Sequence, residues 1–144
     1  MNVEQEQTGG VLAGYRVVEL AMWVAGPSAG GLMADWGADV IKVETAGGDP
    51  QRNILGALGY GDLPVPGFTL DNRGKRSVVL DLTTDEGREA MEALLATADV
   101  YLTNMRPQSL EAIGLAPEQV HERHPGLVVT TITGYGLDGD EAWR

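Results

Sequence analysis

Cysteine is absent from all 144 residues, which excludes disulfides, thiolate metal sites and a cysteine nucleophile within the chain. Positive charge is scarce. Ten Lys and Arg stand against 21 Asp and Glu, for a formal net charge of −11. A field of that sign repels nucleic acid and anionic membranes at long range, so neither is an expected partner. Any anionic ligand therefore needs a local basic cluster. No apolar run reaches the roughly 18 residues that cross a bilayer, and the opening MNVEQEQTGG has neither the basic start nor the apolar middle of a secretion signal. We expect a cytoplasmic chain with a flexible N-terminal tail over residues 1–13.

What is present suits one globular domain: 43% of residues are hydrophobic and 22% charged, and a chain of this length buries roughly 68–70% of its unfolded surface. Arg16 to Leu20, Asp39 to Val43, Ser77 to Leu82, Asp99 to Thr103 and Leu127 to Ile132 are short runs rich in Val, Ile and Leu. Their near-continuous apolar character predicts parallel strands covered on both faces. Between the first two, Ala29, Leu32, Met33 and Trp36 recur at helical spacing over Pro27 to Gly37 and predict one stripe facing the sheet. Thr83-x-x-Glu86 reads as a capping box for a helix that buries Ala90, Met91, Leu94, Leu95 and Ala98. Pro107 to Ile113 and Pro117 to Arg123 read as short helices with Pro in the first turn. Only the crossover from Thr45 to Arg76 reads as irregular, and loops of that length are usually functional or mobile. The pattern predicts an α/β fold, a right-handed doubly wound, mostly parallel sheet with flanking helices.

Three segments carry candidate chemistry. The first is the turn Ala25-Gly26-Pro27, between a strand and a helix, where backbone N–H groups and the positive helix end favour an anion or polar group. Its glycines, Gly26, Gly30 and Gly31, fit neither G-x-G-x-x-G nor G-x-x-x-x-G-K-[ST]. The turn equally suits a strand-to-helix connection whose glycines allow close packing. Glu44, closing the second strand, imitates the ribose-binding acid of a dinucleotide fold without the first glycines of that fingerprint.

The second segment is Asn72-Arg73-Gly74-Lys75-Arg76-Ser77, a basic cluster in an acidic chain, suited to phosphate or to a solvated turn. The third is Thr103-Asn104-Met105-Arg106-Pro107, where an amide, a soft apolar side chain and a guanidinium share one strand end, although Met105 also suits core filling. His121-x-x-His124 lacks a third ligand of suitable spacing, so no metal site is expected. Asp138, Asp140 and Glu141 read as a solvated loop.

Taken in order, these pieces resemble the class III CoA-transferases, the superfamily that also holds the α-methylacyl-CoA racemases. The matching series runs Val17-Val18-Glu19-Leu20, Ala25-Gly26-Pro27, Leu32 to Glu44, Asn72 to Ser77, Leu80-Asp81-Leu82, Asn104-Met105-Arg106-Pro107 and Thr133-Gly134-Tyr135-Gly136. The order and spacing hold from about Gly14 to Gly139. The resemblance implies a Rossmann-like CoA-binding domain over 14–136, followed by a truncated linker over 137–144.

It implies a coenzyme A site in which Val24 and Ala25 contact the ligand through backbone. Asn72, Lys75 and Arg76 belong to a segment that contributes to the site, Lys75 and Arg106 meet phosphates, and Asn104 and Met105 border the nucleotide or pantetheine. The implied activity is transfer of CoA between an acyl-CoA and a carboxylic acid through an aspartyl-CoA intermediate, in an interlocked homodimer. No catalytic residue is assigned, because the family nucleophile sits in a Gly-Asp context followed by glycines, and Gly139-Asp140 lacks them.

Val24, Thr45 and Ala112 stand where formyl-CoA transferases carry glutamine, arginine and a basic residue, which argues against formyl-CoA and oxalate. We therefore expect an N-terminal fragment, ending at Arg144 where a trypsin-like protease cuts, that is inactive alone, binds CoA weakly and exposes an apolar face. An acyl-CoA racemase and a non-catalytic module for NAD or ATP are the alternatives.

Overall fold

The computed structural model describes residues 9–61, 63–140 and 142. Five parallel strands form one sheet: β1 (Arg16–Leu20), β2 (Asp39–Glu44), β3 (Arg76–Val79), β4 (Val100–Thr103) and β5 (Val128–Thr131), in the order β3-β2-β1-β4-β5. Helices α1 (Ala25–Asp35), α2 (Ile54–Ala57), α3 (Pro66–Asp71), α4 (Asp85–Leu95), α5 (Pro107–Ala112) and α6 (Pro117–Arg123) connect them. The fold is the expected α/β layer structure. No described helix is long and apolar enough to cross a membrane.

Alternate residues of the central strands feed two cores, one per sheet face. Under α1 lie Val17, Val40 and Leu102 with Ala38, joined by Ala29, Met33 and Leu12. The opposite face gathers Val18, Leu20, Val43 and Tyr101 with Met91 and Leu95 of α4, Leu110 of α5 and Val120 of α6. Full cover fails at the two edges, contrary to expectation. Val79 of β3 and Val128 of β5 are each more than half exposed, because an edge strand has a neighbour on one side only.

Helix α1 differs most from its sequence pattern. It starts at Ala25 rather than Pro27, and Leu32 and Trp36 of the expected stripe are exposed. Its buried positions are Gly26, Pro27, Gly30 and Gly31. A side chain at these glycines has no room: a Cβ on Gly30 would stand 2.0 Å from Glu19 Oε2 of the sheet, one on Gly26 2.5 Å from Ala21 Cβ in the turn, and one on Gly31 2.8 Å from Asp71 O of α3. The glycines therefore serve close approach, and the apolar stripe divides: Ala29 and Met33 pack on the core beneath, while Leu32 and Trp36 face outward. The helix stops in a Schellman turn, with Ala38 N donating to Met33 O at 3.0 Å and Gly37 taking φ 95°.

Three smaller features also depart from the sequence pattern. The cap of α4 is Thr84, whose hydroxyl accepts from Gly87 N at 3.1 Å, while Thr83 Oγ1 donates to Asp81 Oδ1 instead. The crossover after β2 is not irregular: it holds a 3-10 turn (Pro50–Asn53), α2 and α3, and α3 packs on α1. Leu12, expected in a flexible tail, donates its N–H to Trp36 O at 2.8 Å and packs on the α1 core. Residues 1–8 of that tail, Glu141 of the acidic loop and Arg144 lie outside the described residues. Asp138 and Asp140 are exposed.

Gly30→Ala is expected to destabilise the chain in urea unfolding by about 1–3 kcal/mol through overpacking. Leu32→Ala, on the outer face of the same helix, is expected to stay within about 0.5 kcal/mol. Equal losses would contradict the assignment of faces.

Candidate functional site

In a sheet ordered β3-β2-β1-β4-β5, the connections from β1 and β4 leave in opposite directions, and a crevice opens above the carboxyl ends of that strand pair. A cavity of about 450 Å³ occupies this edge. Ala21 and Met22 follow β1 into its wall, Thr45 to Asp49 follow β2, Leu80 to Thr83 follow β3, and Met105, Ser109 and Ile113 close it beyond β4. Its wall is mainly aliphatic. Glu44, Asp49 and Asp81 reach it, and no Lys or Arg is among its described lining residues.

Beside it, a hollow of about 130 Å³ is lined by Asn104, Met105, Arg106 and Thr133 to Tyr135, so Met105 borders both. Arg106 is exposed. Of the ten Lys and Arg residues, Arg144 lies outside the described residues, and each of the others except Arg106 has a carboxylate partner. Among the described residues, Arg106 is thus the one cation whose charge is not already matched.

The structure brings Asn104, Met105 and Arg106 together at the smaller hollow, whereas Val24 and Ala25 line neither hollow and stand at the start of α1, which lies so close to the β4 end that a Cβ on Gly26 would meet Asn104 Cγ at 3.3 Å. Val24 and Ala25 are exposed at the start of α1, where no side chain caps the helix. Asn104 itself turns inward. Its Oδ1 accepts from Met22 N at 3.0 Å and its Nδ2 donates to Met22 O at 2.8 Å, joining the β4 and β1 ends.

Asn72, Lys75 and Arg76 are not brought to that crevice. Lys75 Nζ is buried under α1, 2.7 Å from Glu19 Oε2, and donates to Pro27 O at 2.8 Å and Asn72 Oδ1 at 3.0 Å. An ammonium has three donors, so none is left for a phosphate. Burial chiefly lowers the Lys75 pKa, and the Glu19 charge opposes that. Asn72 Nδ2 donates to Phe68 O at 3.0 Å. Arg76 opens β3 at the amino edge of the sheet and pairs with Asp39 at 2.6 Å, holding that carboxyl below its usual range. Arg73, the remaining member of the cluster, pairs with Asp35. The basic run thus divides among three carboxylates, because successive residues at a strand entry point to different faces.

Glu19 also holds Lys42, directly across the β1–β2 register, at 3.0 Å. Lys42 Nζ reaches Asp49 Oδ2 at 2.9 Å and donates to Ala21 O at 2.8 Å. Two acids and two ammonium groups, each with a side chain at most 2% exposed, therefore neutralise one another beneath α1. Glu44 is also engaged: Arg52 donates to it twice, at 2.8 and 2.6 Å, and Ser77 Oγ and Asp49 N complete its shell. The Arg52 hydrogen bond foremost lowers its pKa to about 2. Glu44 organises the loop after β2 and has no oxygen free for a ribose. His124 Nε2 lies 2.5 Å from Glu92 Oε1, and no group of three candidate metal ligands occurs among the described residues.

Residues 12–144 match CoA-transferase family III. The chain belongs to that family. It is 42% identical over 134 residues to a probable fatty acyl-CoA transferase, Rv3272, of Mycobacterium tuberculosis, covering 92% of this chain and 34% of that protein. It is 39% identical over 131 residues to the (R)-2-hydroxy-4-methylpentanoate CoA-transferase of Clostridioides difficile, covering 90% and 33%. A crystal structure of a CAIB/BAIF family protein from Brucella suis superposes with a TM-score of 0.84 at 39% identity, over 94% of this chain and 36% of that one. An orthorhombic form of Rv3272 gives 0.83 at 40% identity, over 94% and 36%. The chain thus spans about a third of the length of these family III relatives.

Of the cavity's lining, the sequence reading singled out Met105, Glu44 and Thr45 as candidates or departures from a family pattern. The rest of Thr45 to Asp49 fell in a crossover read as long and rich in Gly and Pro, and Leu80 to Thr83 as a strand and a cap. The Ala46-Gly47-Gly48 run after a strand end was the available signal.

Lys75→Met is expected to cost about 3–5 kcal/mol in urea unfolding, the usual penalty for removing one partner of a buried pair. The folded pKa of Glu44 lies below its ordinary 4.5, so its contribution is complete above that value and is lost as pH falls toward about 2. Urea midpoints should decline across this window, and Glu44→Gln should flatten the decline. An unchanged slope in that variant would contradict the Glu44–Arg52 assignment.

Proposed function

We propose that this chain supplies the coenzyme A-binding part of an enzyme that moves CoA between an acyl-CoA and a carboxylic acid. The observation that carries the reading is the pairing of an apolar cavity without cations and an unmatched guanidinium next to it, joined by Met105. CoA has the same division, with uncharged adenine and pantetheine parts and a set of anionic phosphates. The cavity takes an uncharged part, and Arg106 meets phosphate in bidentate fashion. Val24 and Ala25 offer backbone N–H groups at the start of α1. Lys75 and Asn72 act beneath the site, supporting α1. Arg76 serves the far edge of the sheet.

In the proposed chemistry an aspartate carboxylate attacks the thioester carbonyl and CoA leaves as thiolate, forming an anhydride. The thiolate then attacks the aspartyl carbonyl and releases the donor acid, leaving an aspartyl-CoA thioester. The acceptor carboxylate attacks that thioester, and the returning thiolate completes the transfer. Glu44 is engaged by Arg52 and Asp49 by Lys42, while Asp81 accepts Thr83 N and Oγ1 on its Oδ1. The nucleophile is left unassigned in this chain. Exposed Leu32 and Trp36 on α1, with the open edges at Val79 and Val128, are proposed to pack against further protein, a second copy included.

Calorimetric titration of the 144-residue chain should give measurable CoA binding and weaker NAD binding. Arg106→Ala should weaken CoA by about ten- to a hundredfold, the loss of one charge-assisted contact set. Tighter binding of NAD, or CoA affinity indifferent to Arg106→Ala, would overturn the site. Acyl transfer by the 144-residue chain alone should stay at background, and detectable turnover would reassign the nucleophile to one of its own acids.

A further inference from the structure

The turn from β1 into α1 is tied on both sides, by a buried lysine and a half-buried asparagine. Lys42 Nζ donates to Ala21 O, and Asn104 takes both polar groups of Met22. The next residue, Trp23, donates its N–H to Asp49 Oδ1 at 3.1 Å. Trp23 has φ 65° and is the one non-glycine residue at positive φ among those described. A bulky L-residue adopts that region only when its surroundings impose it.

Asp49 is built to impose it. The residue is 3% exposed. Its Oδ2 lies 2.9 Å from Lys42 Nζ, its own N–H is given to Glu44 Oε2 at 2.9 Å, and its Oδ1 also accepts Gln51 N at 3.0 Å. Ala21, Met22 and Asp49 all line the 450 Å³ cavity, so the bond to Trp23 joins the wall after β2 to the wall after β1.

We infer that Asp49 is a positioning residue for the cavity: through the Trp23 amide it holds the β1–α1 turn in the left-handed conformation that shapes the wall at Ala21 and Met22. Without the carboxylate, Trp23 relaxes to negative φ and the wall moves with it. The identity of the ligand rests on the CoA reading, whereas the clamp does not.

Amide hydrogen exchange followed by NMR on the 144-residue chain, on Asp49→Ala and on Asp49→Asn tests this, alongside CoA titration and urea midpoints. In the unsubstituted chain the Trp23 amide is expected to be protected although its side chain is 45% exposed. In Asp49→Ala, Trp23 exchange should rise about tenfold, while the Met22 amide, held by Asn104, stays protected. CoA affinity should fall by about the same factor. Asp49→Asn retains an acceptor and should keep Trp23 protected.

An unprotected Trp23 amide in the unsubstituted chain would overturn the inference, and that measurement stands even if Asp49→Ala does not fold. So would an equal rise at Trp23 and Met22, which is general loosening, or unchanged CoA affinity with Trp23 released. Absence of CoA binding in the unsubstituted chain would refute the ligand and leave the clamp to the exchange result.

Discussion

Glu19 is buried in the middle of the sheet with one oxygen on Lys42 and the other on Lys75, and much of the molecule is arranged to make that possible. A carboxylate taken out of water costs several kcal/mol even after relaxation, and it is tolerated only when its partners are close and well saturated. Both ammonium groups meet that condition. Lys42 is completed by Asp49 and Ala21 O, and Lys75 by Pro27 O and Asn72. Because these groups project from the sheet beneath α1, the helix can sit there only with glycine against them, hence Gly30 above Glu19. One buried acid therefore connects β1, β2, the start of α1 and the entry to β3.

The same arrangement shapes the carboxyl edge. In a chain of net charge −11, nearly every described cation is already paired with an acid, on the amino edge at Asp39, under α1 at Glu19 and beside the cavity at Glu44. What is left at the crevice is an aliphatic cavity and the guanidinium of Arg106. An unpaired cation on an acidic protein is a strong local feature, since among the described residues no acid forms an ion pair with its five donors. The turn that faces it is held from β2 by Lys42 and Asp49 and from β4 by Asn104. Asp49 and Asn104 thus serve twice, each lining a hollow at the crevice and each holding the turn, while Lys42 supports from beneath.

Several parts were legible before any coordinates. The strands were, because buried parallel strands need unbroken Val, Ile and Leu, and α6 was, because Pro117 and Pro125 punctuate it. The buried face of α1 was legible only in part: Ala29 and Met33 of its stripe pack on the core, whereas Leu32 and Trp36 face outward and the glycine positions leave no trace in hydrophobicity. The edge strands were read as covered, since a sequence does not say which strand has a neighbour. At the site, Asn104, Met105 and Arg106 were visible as a group at one strand end. Lys75 and Arg76 looked like a phosphate cluster because adjacency in sequence was taken for adjacency in space, and a strand entry separates such neighbours by face.

The sequence by itself determined the layer architecture, the family and the segment that carries Arg106, because hydrophobic period, turn residues and an ordered series of motifs are local properties. The tertiary structure alone decided which charges are spent and which remain. Ion pairing and hydrogen bonding depend on distances between residues far apart in the chain: Glu19 with Lys75, Asp39 with Arg76, and the Trp23 amide with Asp49. Those partners are set by strand order and register, and they divide an apparent cluster of phosphate ligands, with Lys75 under α1 and Arg76 at the amino edge of the sheet.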